Sequence, residues 1–364
     1  MRIAQIAPLH ESVPPSRYGG TERVVSYLTE ELVRLGHDVT LFATADSVTS
    51  ARLYPICPRA LRTDAECIDP LAHHVYMAEL AARHSDRFDI IHSHIDYLAF
   101  MLFRRLPIAT VTTLHGRLDI PDSYAVYNEF GELPLVSISD SQRDPVPALN
   151  WINTVHHGLP RDSFSFSPSP ENYVAFVGRI SPEKRLDRAI KIACAAGVPL
   201  VIGAKVDRSD QQYFEDKIEP LLGHPLVRYL GELSETEKTK LLSGAKALLF
   251  PIDWPEPFGL VMIEAMACGT PIIAWAEGSV PEVVKHGISG FIVNSVEEGV
   301  QALTSIDKID RKSCRMEFER GFTSVRMAKD YVDVYEQIIQ SFAAEMSHPA
   351  AELYAFAKTS GQRP

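Results

Sequence analysis

Arg179 and Lys184 stand five residues apart in the run Gly178-Arg-Ile-Ser-Pro-Glu-Lys184, directly after an apolar stretch, 173–177, that reads as a strand. Two cations at the carboxyl end of a strand could clamp a diphosphate; a solvated loop with unrelated charges is the plainer reading of the same residues. Glu256 and Glu264 stand eight apart in the dense segment 251–282. Glu264 falls inside the apolar run 260–267, which predicts a buried helix, and a buried carboxylate needs a partner because leaving it unpaired is costly. That partner is either a structural ion pair or a ligand. Glu256 precedes Pro257-Phe258-Gly259 at the start of this helix, where free N–H groups could hold a phosphate or a sugar oxygen, or where the acid is simply solvated. A third candidate is Gly19-Gly20 before a helix beginning at Thr21, which is either an anion-facing helix N-terminus or an ordinary tight turn.

These groups need a frame to position them. Short Val- and Ile-rich runs alternate with longer amphipathic stretches, which predicts strand, helix, strand units and parallel sheets. Strands are expected at 3–7, 39–43, 90–92, 109–113 and 135–138, and afresh at 173–177, 200–203, 227–230, 247–250, 271–274 and 290–293. Val24, Val25, Leu28, Leu32 and Leu35 fall near helical spacing over 21–35, with Gly36 as a left-handed cap. The proline-rich stretch 151–170 predicts a linker. The expected organisation is a first α/β domain over 1–158, a second over 159–312, a long helix over 313–346 interrupted near Gly321-Phe322-Thr323, and a tail over 347–364.

Composition removes several classes of function. With 36 basic and 47 acidic residues in 364, the net charge of −11 gives no general basic field, so a nucleic-acid partner is not expected. The 5 cysteines are scattered, without a C-x2-C pair, which argues against a disulfide framework or a structural zinc site and favours a reducing cytoplasm. The N-terminal run meets Pro8 too soon for a signal-peptide apolar region, and the longest stretch free of charged residues, 145–160, carries three prolines, so no membrane span is expected. The stretch 97–105 is read as a buried crossover helix or as a membrane-touching helix with a basic end.

Taken together the motifs resemble glycosyltransferase family 4, retaining nucleotide-sugar-dependent enzymes of the GT-B fold, in which two Rossmann-like domains face across a cleft. The resemblance rests on Val177-Gly-Arg-Ile-Ser-Pro-Glu-Lys-Arg-Leu-Asp, Gly231-Glu-Leu-Ser, Ala245-Lys-Ala-Leu-Leu-Phe-Pro and the E-x7-E pair Glu256 and Glu264 with the flanking Gly-Thr-Pro and Gly-Ser-Val-Pro-Glu. In the first half it rests on Gly19-Gly-Thr-Glu-Arg-Val-Val, Asp89-Ile-Ile-His-Ser-His94, Thr113-Leu-His-Gly116 and His156-His-Gly-Leu-Pro160. Residues 44–88 and 117–134 match no motif of the family.

The resemblance implies a role for each matching position. Gly19 and Gly20 bring backbone to the donor's distal phosphate, and Arg179 and Lys184 neutralise the diphosphate. Glu256 holds hydroxyls of the transferred sugar with the N–H groups of Phe258 and Gly259, while Leu260 and Val261 present N–H groups to phosphate. Glu264 grips the ribose, and His115 stands near the reacting carbon and the sugar's primary alcohol; His94 either joins it or merely closes its strand. The long helix after Arg311 is implied to cross back to the first domain. No metal or other cofactor is required, and Asp207-Arg-Ser-Asp210 is spaced wrongly for a metal motif. The implied partners are a nucleotide-diphosphate sugar, most often a UDP-sugar in this family, and an acceptor hydroxyl on a glycan, lipid-linked or small molecule. Two other readings stay open: a catalytically silent nucleotide-sugar binder, and a dinucleotide oxidoreductase, against which stands the lack of a G-x-G-x-x-G after the first strand.

Overall fold

In the computed structural model, which describes residues 1–17 and 19–347, the chain builds two wholly parallel sheets. The first contains β1 (Arg2–Ile6), β2 (Asp38–Ala43), β3 (Arg52–Pro55), β4 (Ile90–Ser93), β5 (Ala109–Thr113), β6 (Leu135–Ser137) and β7 (Trp151–Thr154), in the order β3-β2-β1-β4-β5-β6-β7. The second contains β8 (Val174–Arg179), β9 (Leu200–Lys205), β10 (Val227–Tyr229), β11 (Leu248–Phe250), β12 (Ile272–Trp275) and β13 (Gly290–Val293), in the order β10-β9-β8-β11-β12-β13. Both are doubly wound Rossmann-like sheets whose order reverses beside the first strand, at β1/β4 and at β8/β11. Ligands of such sheets bind outside the carboxyl ends of the strands at this reversal.

The periodicity explains the layers. Every residue of β4 and β5 is buried, as expected for central parallel strands covered on both faces. The helix Gly20–Arg34 turns Val24, Val25, Leu28 and Leu32 inward, and Gly36 beyond its end has φ +90°. The strands β3 and β7 were not expected. Each is short and at a sheet edge, with mixed polar sequence and partial exposure, so neither carries an apolar run. Trp151–Thr154 is therefore the last strand of the first sheet and not part of a linker.

The C-terminal helical stretch divides. Arg311–Gly321 packs into the second core through Cys314 and Phe318, and only Ser324–Met346 returns to the first sheet, burying Met327, Ala328, Tyr331, Val334, Tyr335 and Ile338 against Ile3, Val24, Leu28 and Val111. The crossing therefore begins near 322, not at 313. The tail from 348 lies outside the described residues. The stretch 97–105 forms two short turns, Asp96–Ala99 and Phe100–Phe103, with Ala99, Phe100 and Phe103 buried and Arg104 ion-paired to Glu129 and Glu132. Among the described residues no helix is long and apolar enough to cross a membrane.

The chain passes between the two halves twice, and the passages are bonded side by side. Leu159 N–H donates to the Phe322 carbonyl at 2.9 Å, and Ser324 N–H donates to the Leu159 carbonyl at 2.8 Å. Gly158 is needed there, because a Cβ would lie 2.3 Å from the Thr323 carbonyl oxygen. Arg326 adds hydrogen bonds to the carbonyls of His156 and His157 at 2.6 and 3.0 Å. A Gly158→Ala substitution is expected to cost about 1–3 kcal/mol by forcing backbone apart, read as a lowered Tm. Gly223→Ala, at φ −72° with nothing within 4 Å, is the control expected to leave Tm essentially unchanged.

Candidate active site

The second-domain wall is built from strand ends. Arg179 closes β8 and is held by Glu183 at 2.6 Å and by the longer contacts to Asp207 and Asp210 at 3.6 and 3.7 Å. Lys184 ends the turn Pro182–Lys184 and forms an ion pair with Glu256, and its ammonium lies 4.7 Å from the Trp254 ring centre. The same Glu256 oxygen accepts from Trp254 Nε1 at 2.9 Å. The Gly278-Ser279 turn locks this loop. A Cβ on Gly278 would lie 2.3 Å from Glu256 N, Ser279 N–H donates to the Glu256 carbonyl at 3.0 Å, and Ser279 Oγ donates to the Phe258 carbonyl at 2.7 Å. Gly259 caps the helix Leu260–Ala267 at φ +77°, a conformation glycine adopts freely, leaving the first-turn N–H groups of Leu260 and Val261 without intrahelical acceptors.

Glu264, in that helix, is 3% exposed and has its partner in the protein: Lys238 Nζ at 2.7 Å, which also pairs with Glu235 at 2.8 Å. Glu235 in turn reaches Arg23 of the first domain at 3.2 Å. The structural ion pair foreseen as one alternative for Glu264 is thus present, and the helix Glu235–Gly244 supplies it.

The first-domain wall is less charged. Gly19 has φ +144° and precedes the helix Gly20–Arg34, and a Cβ on Gly20 would lie 3.5 Å from Leu260 Cδ1, so the two helix N-termini face each other across the cleft. His115 follows β5, stacks on His157 with ring centres 5.3 Å apart, and bonds His94 at 2.9 Å. Burial pushes His115 down to about 3 and holds His92, His94 and His157 well below the usual histidine range, with neighbouring imidazoles adding to the effect at those three. Glu22, 5% exposed in the first turn of its helix, is pushed up by burial, partly offset by backbone N–H groups.

These walls enclose one cleft of about 590 Å³ lined by Gly19, Gly20, His115, Arg179, Lys184, Glu256, Phe258, Gly259, Leu260, Val261 and Glu264, so every site residue singled out in the sequence lies on it except His94, which bonds His115 without lining the cleft. His157, Trp254, Lys238 and Glu22 line it as well and were not singled out. A signal existed only for Glu22, as the acid in Gly19-Gly-Thr-Glu, and for His157 in His156-His-Gly; Trp254 and Lys238 gain meaning only from what they touch. Among the described residues no cluster of three or more His, Cys, Asp or Glu side chains could hold a metal ion.

Residues 161–316 match the family described as glycosyl transferases group 1, and residues 18–142 match glycosyltransferase family 4. The chain is a family 4 glycosyltransferase. The transferase is similar to the D-inositol 3-phosphate glycosyltransferase of Mycolicibacterium smegmatis, at 25% identity over 92% of this chain and 89% of that one. Its fold is similar to that of AviGT4, a glycosyltransferase involved in avilamycin A biosynthesis, with a TM-score of 0.73, 21% identity and coverage of 93% and 98%. It is also similar to Anabaena HepE in complex with UDP and glucose, with a TM-score of 0.68, 18% identity and coverage of 93% and 100%. Both are GT-B structures, as are the two sheets here.

The neutral histidine cluster gives the transferase a pH-dependent stability. A histidine whose folded pKa is depressed costs nothing above its unfolded value near 6.5; below it the unfolded chain takes up a proton that the folded one refuses, at about 1.4 kcal/mol per pH unit for each such histidine. The raised carboxyls of Glu22 and Glu11 act in the opposite sense, returning stability as the pH falls through their folded values above 4.5. Urea midpoints should therefore fall between pH 7 and 5.5, with uptake of more than one proton on unfolding. A flat midpoint would mean that the cluster titrates in the folded protein.

Proposed function

We propose that this glycosyltransferase is a retaining, metal-independent enzyme that moves a hexose from a UDP-sugar to a hydroxyl of a glycan, lipid-linked or small-molecule acceptor. The observation that carries this reading is the convergence in one cleft of Arg179, Lys184, the N-terminus at Leu260 and Val261, and Glu256. Cleaving a glycosyl phosphate bond leaves a diphosphate of growing negative charge, and preorganised cations and N–H dipoles stabilise that charge most where water is excluded. Arg179 and Lys184 would exchange carboxylate partners for phosphate oxygens. Glu256, oriented by Lys184 and Trp254, would hold sugar hydroxyls, and Glu264 with Lys238 would meet the ribose. The UDP and glucose bound to Anabaena HepE support a UDP-sugar as donor.

The stereochemical reading follows from what each group can do. His115, pushed down to about 3, is too weak a base to deprotonate an acceptor at neutral pH, which weighs against an inverting route. Glu256 is engaged by Lys184 and Trp254 and serves orientation better than covalent attack. The departing phosphate, held on one face by the second-domain wall, is left to take the acceptor proton on that same face. The first-domain wall, with His10, Glu22 and Arg62, is the surface open to the acceptor.

Transfer from an α-linked donor in the presence of EDTA should give an α-linked product by proton NMR. A β product, or activity abolished by EDTA, would overturn the retaining or the metal-independent half respectively. Glu256→Gln should lower transfer a hundredfold or more, about 3 kcal/mol of transition-state stabilisation, with Tm close to wild type because the amide still accepts from Trp254. Near-wild-type turnover would remove Glu256 from the site. Arg179→Ala and Lys184→Ala should each weaken calorimetric UDP affinity by about 1.5–3 kcal/mol.

A further inference from the structure

A buried chain of polar side chains runs from the crossing helix to the cleft. Tyr331 Oη lies 2.9 Å from Thr113 Oγ1, which lies 2.7 Å from His92 Nε2; His92 Nδ1 lies 2.7 Å from Tyr335 Oη. Gln5 Nε2 donates to Tyr335 Oη at 2.9 Å, its Oε1 meets His94 Nε2 at 2.8 Å, and His94 Nδ1 meets His115 Nε2 at 2.9 Å. The last atom, His115 Nδ1, is buried with no hydrogen-bond partner among the described residues. His115 lines the cleft.

A neutral imidazole has one donor and one acceptor nitrogen, so each histidine passes the direction of the chain from one neighbour to the next. Gln5 carries that direction through the chain according to which way its amide is turned, because an amide oxygen only accepts and an amide nitrogen only donates, whereas the hydroxyls of Tyr335, Thr113 and Tyr331 do either. With Oε1 toward His94, His94 carries its proton on Nε2 and accepts at Nδ1; His115 then carries its proton on Nε2. The nitrogen left bare is His115 Nδ1. The opposite amide orientation would reverse every bond and put a proton there instead.

We propose that Gln5, His94 and Tyr335 are positioning residues that hold His115 as the Nε2–H tautomer, presenting Nδ1 as a fixed acceptor for a hydroxyl of the bound sugar. The proposal rests on the reading of the cleft as a nucleotide-sugar site. It makes the crossing helix part of the active site: Tyr335 contributes no contact to ligand, and its hydroxyl accepts from Gln5 Nε2 while donating to His92 Nδ1, the arrangement that matches this amide orientation. Burial of the imidazoles supports a neutral chain throughout.

The tautomer is read directly from long-range proton–nitrogen spectra of protein labelled with 15N-histidine. Wild-type His115 should show a protonated Nε2 and a bare Nδ1; a protonated Nδ1 would overturn the proposal whether or not any variant folds. Addition of UDP-glucose should shift the Nδ1 resonance, and UDP alone should not. If both ligands bind and neither moves Nδ1, the acceptor role fails; if neither binds, the reading of the cleft fails while the tautomer result stands. Tyr335→Phe keeps the ring and frees the amide, and should mix the two His115 tautomers and lower kcat about tenfold with donor KM changed little. Tyr335→Phe with wild-type His115 signals and wild-type kcat would reduce the chain to packing.

Discussion

The cleft depends on the carboxyl ends of two parallel sheets being held face to face, and the backbone does this where the chain's two passages between halves are bonded to each other, at Leu159 with Phe322 and Ser324. Each sheet alone would bind an anion at its order reversal, as doubly wound sheets do. Opposing the two reversals brings Gly20 against Leu260, so two helix N-termini and two strand-end loops share one volume. Because the passages are paired, relative motion of the halves must turn about this point. Glu282, whose carboxylate accepts from the N–H groups of Asp140 and Ser141 at 2.8 Å and bonds His156 Nε2 at 3.0 Å, ties the second half to the first beside it.

The charges on the second wall are balanced before any phosphate arrives. Arg179 faces three carboxylates, Lys184 faces Glu256, and Lys238 faces Glu235 and Glu264. A diphosphate entering such a site would exchange partners with cations that are already partly shielded from water, so part of the cost of stripping water from them is met in folding rather than in binding. The same arrangement fixes Glu256, since Lys184 and Trp254 share one of its oxygens. On the proposed function, phosphate drawing Lys184 toward itself would adjust the hold on Glu256, coupling leaving-group contact to sugar orientation.

What could be read in the sequence was what is local. Gly259, Leu260 and Glu256 announce themselves because a strand end, a glycine cap and a helix start are consecutive, and β13 and β5 were delimited correctly because buried central or apolar strands leave continuous runs. Edge strands β3 and β7 left no such run. Lys238 could not be matched to Glu264, because the pairing depends on how the helix Glu235–Gly244 lies across the helix Leu260–Ala267. The Gln5 chain was beyond reach for the same reason: β1, β4, β5 and the crossing helix meet only in the folded sheet order.

The two walls differ in a way that bears on the chemistry proposed for the cleft. The second wall concentrates cations and helix dipoles, while the inner surface of the first is a cluster of histidines kept neutral by burial. On the proposed function, a sugar lying between them, as it develops oxocarbenium character, would meet the cations Arg179 and Lys184 on the phosphate side and uncharged imidazole at His115 on the other. Neutral His115 therefore adds no repulsion to the forming cation, which an imidazolium there would do. On that proposal the departing phosphate, held in place by Arg179 and Lys184, would bring negative charge to the reacting carbon. On the same proposal an acceptor hydroxyl approaching on that face would find its proton acceptor already bound, and the protein would need to supply neither a strong base nor a nucleophile, only the geometry that keeps the phosphate from leaving too soon.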